Sequence, residues 1–239
     1  MVAPISMLSN LEEFTLEFRS PESRPDWGSP SLPPPKRSTL PTLRKFRFRG
    51  VTEYLEDIVT HIDAPQLNIF SINFFNQVDF DFPRLVQFIN CTPTLGVLDE
   101  ARVESNDYAT IVSLQYGTPL GTYKLLRMGV SCKEPDWQLS FIEQVCNNNA
   151  IENSLWSRLL LPFTTVKNLY LSKEFAPGIA AALQELVDGR ITEVLPSLQN
   201  IFVRRFKPSG PFHRNIRQFV VARQLSGHPI AISLWRRRS

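Results

Sequence analysis

The chain has 239 residues, 43% of them hydrophobic, and carries 26 Lys and Arg against 23 Asp and Glu, a formal net charge of +3. That is enough apolar sequence for a real core, in one elongated domain or two small ones, and too weak an excess of base for a dedicated phosphate-binding protein. Three cysteines, Cys91, Cys132 and Cys146, without Cys-x-x-Cys spacing support neither a disulfide framework nor a zinc site and fit a reducing cytoplasmic or nuclear setting.

The opening residues, MVAPISMLSNLEEF, lack the basic and apolar regions of a secretory leader. No later run approaches the ~20 apolar residues of a membrane-spanning helix, so no membrane partner is expected. Residues 1–18 end in a first predicted strand, LSNLEEFTLEF (8–18), which nothing caps. Residues 19–41 hold seven prolines among serine, glycine and charge, which predicts an exposed loop rather than a helix or central strand. Residues 42–239 read as globular and form a single domain with the first strand.

At residues 40–50, LPTLRKFRFRG sets Arg44, Lys45, Arg47 and Arg49 around Phe46 and Phe48. Its template is often a proline, then apolar, two free, apolar, one free, apolar. The same template recurs in 8–18, in APQLNIFSINFF (64–75), in LPFTTVKNLYLS (161–172) and in LPSLQNIFVRR (195–205). The aligned apolar columns are Leu11, Leu43, Leu67, Val166 and Leu198; Phe14, Phe46, Phe70, Leu169 and Ile201; and Leu16, Phe48, Ile72, Leu171 and Val203. This is the LxxLxL pattern of a leucine-rich repeat. A looser copy begins at TPTLGVL (92–98), and YKLLRMGVSC (123–132) and PIAISLW (229–235) read as further strands.

Helical periodicity fills the intervals. TEYLEDIVTHI puts Tyr54, Leu55, Ile58, Val59 and Ile62 on one face, and PGIAAALQELV does the same with Ile179, Leu183, Leu186 and Val187. RLVQFI (84–89), DWQLSFIEQVC (136–146), SLWSRLL (154–160) and FHRNIRQFVVARQL (212–225) are further candidates. Strand and helix alternating at about 24 to 32 residues predict an α/β fold: a leucine-rich-repeat-like solenoid with a parallel concave sheet and outer helices. The direct link NNNAIE between two candidate helices leaves it one repeat short.

Side chains alternate along a strand, so the residues between the apolar columns face outward. One outward column is Thr15, Arg47, Ser71, Tyr170 and Phe202; the next is Glu17, Arg49, Asn73, Ser172 and Arg204. Neither is basic along its length, so the charges of 43–50 read as one solvated strand and nucleic-acid association through it and the terminal Arg236 to Arg238 is the weaker reading. Six to eight strands would give a face roughly 25 to 35 Å long, enough for the ~800 Å² per partner of a standard protein interface. The partner-binding residues expected on it are Arg47, Arg49, Asn73, Tyr170, Ser172, Phe202 and Arg204, with Tyr170 and Phe202 as an aromatic anchor beside Arg204.

The segments EYLEDIVTHIDAPQLN, TPTLGVLDEARV, DWQLSFIEQVC, IENSLWSRLLLPFTTVKNLYLS, PGIAAALQELVDGRITEVLPSLQNIFV and ARQLSGHPIAIS, in that succession, closely resemble the leucine-rich part of F-box-like proteins of mushroom-forming fungi. The resemblance covers roughly residues 40 to 233. It implies the substrate-recruiting part of a cullin-type ubiquitin ligase, which takes a protein or peptide target. The family's F-box, which docks a Skp-type adaptor, has no room between Met1 and the first repeat strand, so adaptor binding requires an F-box upstream. The alternative is a truncated or degenerate paralogue without adaptor binding.

No catalytic motif appears: no GxSxG, P-loop, Rossmann glycine set or HExxH. The expectation is therefore no enzyme activity, no cofactor and no metal. His61 and Asp63 do not share a helix face. The cysteines, and Trp137, Trp156 and Trp235, read as core or capping residues.

Overall fold

A computed structural model of the chain describes residues 10–18, 37–75, 82–95, 98–106, 109–117, 123–131, 160–161, 163–172, 176–187, 191–204 and 211–235. In chain order the elements are β1 (Glu13–Glu17), β2 (Ser38–Thr39), β3 (Lys45–Gly50), α1 (Thr52–His61), β4 (Ile62–Asp63), β5 (Ile69–Phe75), α2 (Pro83–Cys91), β6 (Glu100–Asn106), β7 (Ala109–Gly117), β8 (Tyr123–Ser131), β9 (Asn168–Leu171), α3 (Ala176–Gln184), β10 (Asn200–Arg204), α4 (Pro211–Leu225) and β11 (Ala231–Trp235). The architecture is mixed α/β. One nine-stranded, mostly parallel sheet has the order β1-β3-β5-β8-β7-β6-β9-β10-β11, and β2 pairs with β4 in a separate two-stranded ribbon.

The apolar columns run across the sheet. Phe14 pairs with Phe46, Phe46 with Phe70, and Phe70 with Leu126; on the other side Ala101 pairs with Leu169, Leu169 with Ile201, and Ile201 with Ile232. Phe46, Phe70, Leu126, Ala101, Leu169 and Ile201 are fully buried, and one core takes in these strand positions together with Leu55 and Val59 of α1, Leu85 and Phe88 of α2, Ile179 and Leu183 of α3, and Ile216 and Phe219 of α4. Among the described residues, the helices thus cover one face of the sheet and no element covers the other.

A recurring turn leads into the strands. The amide of Leu43 donates to the Leu40 carbonyl, and the pairs Leu67 and Ala64, Val166 and Phe163, and Leu198 and Leu195 repeat that bond. The next amide then reaches the neighbouring strand's entry: Arg44 to Glu12, Asn68 to Arg44, Lys167 to Asp99 and Gln199 to Lys167, each at 2.8 or 2.9 Å. Threonine hydroxyls add a side-chain stitch, from Thr42 to the Leu11 carbonyl (3.1 Å) and from Thr165 to that of Leu98 (2.7 Å). Carbonyls that would otherwise be buried without a donor are satisfied by the neighbouring unit.

Local chemistry explains other boundaries. Pro83 starts α2, where its missing amide proton costs nothing. Glu56 of α1 accepts the amides of Arg84 and Leu85 at 3.0 and 2.7 Å, satisfying free donors of the α2 N-terminus. Gly50 is the last residue of β3, and a Cβ there would lie 2.8 Å from the rings of Phe18 and Phe48, which favours glycine at that position.

Several expectations change. The sheet is not wholly parallel: β7 runs antiparallel to both β6 and β8, and this three-stranded meander enters in reverse order, so β8 rather than β6 lies beside β5. The copy begun at TPTLGVL sits three residues further on, with Ala101 and Val103 in the columns and Leu98 before them. The end of the proline-rich loop is not all loop, since Ser38–Thr39 pairs with Ile62–Asp63. α3 stops at Gln184, and Leu186 is buried in the turn beyond it. The candidate helix 136–146, the candidate helix 154–160 except Leu160, the residues Cys132, Cys146, Trp137, Trp156 and Arg236 to Arg238, and the link NNNAIE lie outside the described residues.

Candidate interaction face

The open face is built from positions that alternate with the core columns. Its central row crosses all nine strands in continuous register: Thr15, Arg47, Ser71, Arg127, Ser113, Arg102, Tyr170, Phe202 and Ser233. Arg47 and Arg127 are exposed and Arg102 is half-buried. The three arginines occupy alternate strands, β3, β8 and β6, with a serine between each pair. The outward column therefore is more basic than the sequence template implies, because the meander inserts Arg127 and Arg102 between Ser71 and Tyr170.

Beyond Arg102 the row turns aromatic. The rings of Tyr170 and Phe202 stack at 4.6 Å with an interplanar angle of 13°, and Trp235 meets Tyr170 edge-on at 5.4 Å. The Arg102 guanidinium lies 4.8 Å from the centre of the Tyr170 ring and 5.7 Å from that of Trp235, within cation–π range. Its Nη2 also reaches Glu100 Oε2 at 3.4 Å, and Gln115 donates to the same oxygen at 2.9 Å. Burial, and then the negative charge of Glu100, push the Tyr170 phenol above its ordinary pKa, while Arg102 pulls it down and a hydrogen bond to Glu100 raises it further. Trp235 is thus no core residue: with Leu234 paired to Val203 and Trp235 to Arg204, alternation turns the indole onto the open face.

The flanking rows are mixed. On the side of the strand starts lie Glu13, Lys45, Gln115, Glu100, Asn168 and Asn200, with a Lys45–Glu13 ion pair at 3.1 Å and an Asn200-to-Asn168 amide bond at 2.8 Å. On the other side Glu17 pairs with Arg49, Arg49 with Asn73, and Arg204 with Trp235. Of the residues expected here, Arg47, Tyr170 and Phe202 stand together in the central row, and Arg49, Asn73 and Arg204 lie half-buried one row away. Ser172 does not belong to the face. It is buried at 4% exposure just past β9, its amide bonded to Val103 and its carbonyl accepting the amide of Ala176. Sequence reasoning missed Arg102, Arg127 and Trp235.

Other candidates disperse. Cys91 is exposed at the end of α2 and not a core residue. His61 donates from Nδ1 to the Asp57 carbonyl, one turn back on the helix, at 2.6 Å. Among the described residues no three His, Cys, Asp or Glu side chains are grouped to hold a metal ion, and no helix is long and apolar enough to cross a membrane. Comparison with known proteins finds no matching family model, curated protein or solved structure.

Proposed function

We propose that this chain is a protein-interaction module: a leucine-rich-repeat-like solenoid whose open sheet face receives a polypeptide partner, as in the substrate-recruiting part of an F-box protein. The observation that carries the reading is the aromatic cluster of Tyr170, Phe202 and Trp235, held half-exposed beside Arg102 on a face the core does not use. Tyr, Trp and Arg are the residue types that dominate binding energy at protein interfaces. The repeated turn and its carbonyl stitching support the solenoid reading, since stacked units of this kind bury a shared core and present a continuous face. Recruitment to a ubiquitin ligase rests on the resemblance alone, and an adaptor joins only through an F-box module. The proposed setting is cytoplasmic or nuclear.

The test places a benzophenone amino acid at Phe202 and, separately, at Arg217 on the exposed side of α4. Crosslinked protein adducts are expected from position 202 and not from 217, and Tyr170→Ala should remove them without moving the thermal midpoint by more than a few degrees. Equal yields at both positions, or yields indifferent to Tyr170→Ala, would overturn the assignment of the face.

A further inference from the structure

We infer that the partner segment is an extended acidic peptide with a carboxylate at every third residue, read by Arg47, Arg127 and Arg102, and an apolar residue three positions further on, seated on Phe202. The inference rests on the open face being the binding face, and it adds what that face recognises.

The warrant is spacing. Neighbouring strands lie about 4.8 Å apart, so arginines on alternate strands recur at about 9.6 Å. A polyproline II segment advances about 9.3 Å in three residues and, with three residues per turn, presents residues i, i+3 and i+6 on one side at that interval, whereas a β strand would turn i+3 away. From β3 to β10 there are six strand steps, two to Arg127, two to Arg102, one to Tyr170 and one to Phe202. That is about 29 Å, the length of nine residue steps, so a ten-residue segment running across the strands meets three arginines and then the aromatic stack. The serines Ser71 and Ser113 leave room between the cations and carry no charge of their own. Arginine suits the task because its planar fork takes a carboxylate with two parallel hydrogen bonds.

The same geometry argues against two other occupants. A nucleic acid presents charge at every nucleotide, not every third position, and draws its affinity from many neutralised phosphates; here Glu100 and Glu104 flank Arg102 in the rows on either side. A helix is about 10–12 Å wide and would spread over three rows, laying its flanks on those glutamates.

The experiment measures fluorescence anisotropy of labelled ten-residue peptides against the intact chain. One has glutamate at positions one, four and seven and leucine at ten. A second has the reversed sequence, a third the same composition with the glutamates adjacent, and a fourth, longer peptide has glutamates seven apart; a mixed single-stranded oligonucleotide is the fifth probe. The spaced peptide, in one of its two directions, should bind best. Arg47→Gln with Arg127→Gln should weaken it between about twofold and thirtyfold, the loss of two exposed ion pairs. Arg47→Glu with Arg127→Glu should transfer the preference to the same peptide carrying lysine. Circular dichroism should show both variants folded, since both side chains are exposed. Equal binding of the spaced and clustered peptides, tighter binding of the helical spacing, or a tighter oligonucleotide complex weakened by the same substitutions overturns the inference. If no acidic peptide binds while crosslinking at position 202 persists, the acidic rule falls and the interaction face stands; if both fail, both fall.

Discussion

Arg223 offers a measurement of how the C-terminal units are held. It lies on the stripe of α4 that points to the core, seven residues after Ile216 and four after Phe219, and it is 0% exposed. Its Nη1 donates to the Ile191 carbonyl at 3.3 Å, and Nη2 to those of Pro196 and Leu198 at 3.1 Å each. Those carbonyls belong to the turn before β10, where Leu195 is buried with φ at +51° in the left-handed region. A non-glycine residue there costs roughly 1–2 kcal/mol and persists only when its surroundings hold it. Burial pulls the guanidinium pKa below its ordinary value, but an arginine stays charged at neutral pH. Removing it leaves three carbonyls without their donor, at about 1 kcal/mol each by the low end of the range for an unmade bond, and truncation to alanine adds roughly 1 kcal/mol of cavity. The expected loss is about 3 kcal/mol for Arg223→Met and about 4 for Arg223→Ala, with Arg223→Lys between Met and wild type. With a urea slope of about 2.5 kcal/mol/M, these correspond to midpoint shifts of roughly 1.2 and 1.6 M. Hydrogen exchange should speed up first in β10 and β11. If Arg223→Met stays within about 0.5 kcal/mol of wild type, the guanidinium offsets its own burial and contributes nothing net, and the reasoning fails.

Two further outcomes are expected. Phe70 is fully buried, stacked on Phe46 at 5.1 Å and edge-on to Phe88 at 5.7 Å, so Phe70→Ala should lose about 3–5 kcal/mol in a guanidinium titration, and a loss under about 1 kcal/mol would deny the aromatic column its part in the core. Tyr170 should deprotonate above the ordinary tyrosine value of about 10, seen as the difference in phenolate absorbance between wild type and Tyr170→Phe. Because its folded pKa exceeds the unfolded one, its contribution to stability is complete below that ordinary value and is lost as pH rises through the folded pKa; a transition at or below about 10 would contradict the burial of the phenol and its bond to Glu100.

The core columns were legible because the inward residues of five segments share one spacing, and their pairing follows once any two strands align. Alternation alone then placed Arg47, Tyr170 and Phe202 outward. The meander was not legible in the same way. Val112 and Leu114 alternate with Ile111, Ser113 and Gln115 like any half-buried strand, yet nothing local says that β7 returns antiparallel or that β8 docks beside β5. Those are long-range pairings, decided by which edge buries more. The turn-rich stretches SND and GTPLGT around residues 105–122 were the available signal. Trp235 was recoverable: placing Ile232 and Leu234 in the columns forces the indole to the open face. Ser172 failed for a different reason, since it lies just past the end of β9, where strand alternation no longer governs its direction.

The arginine row is a feature that the fold tolerates but does not need. At about 9.6 Å in water two unit charges repel by about 0.4 kcal/mol, and that separation is close to the screening length at physiological salt. Arg47 and Arg127 therefore cost little where they are, while Arg102 is held by Glu100, Tyr170 and Trp235. Ser71 and Ser113 between them are half-buried and outside the core, so core packing does not explain why the charges fall on alternate strands. The inward columns obey burial, the turns obey carbonyl satisfaction, and this row obeys neither. Its period is one that a bound extended chain can match, which makes recognition the account that uses all three arginines and the aromatic stack together.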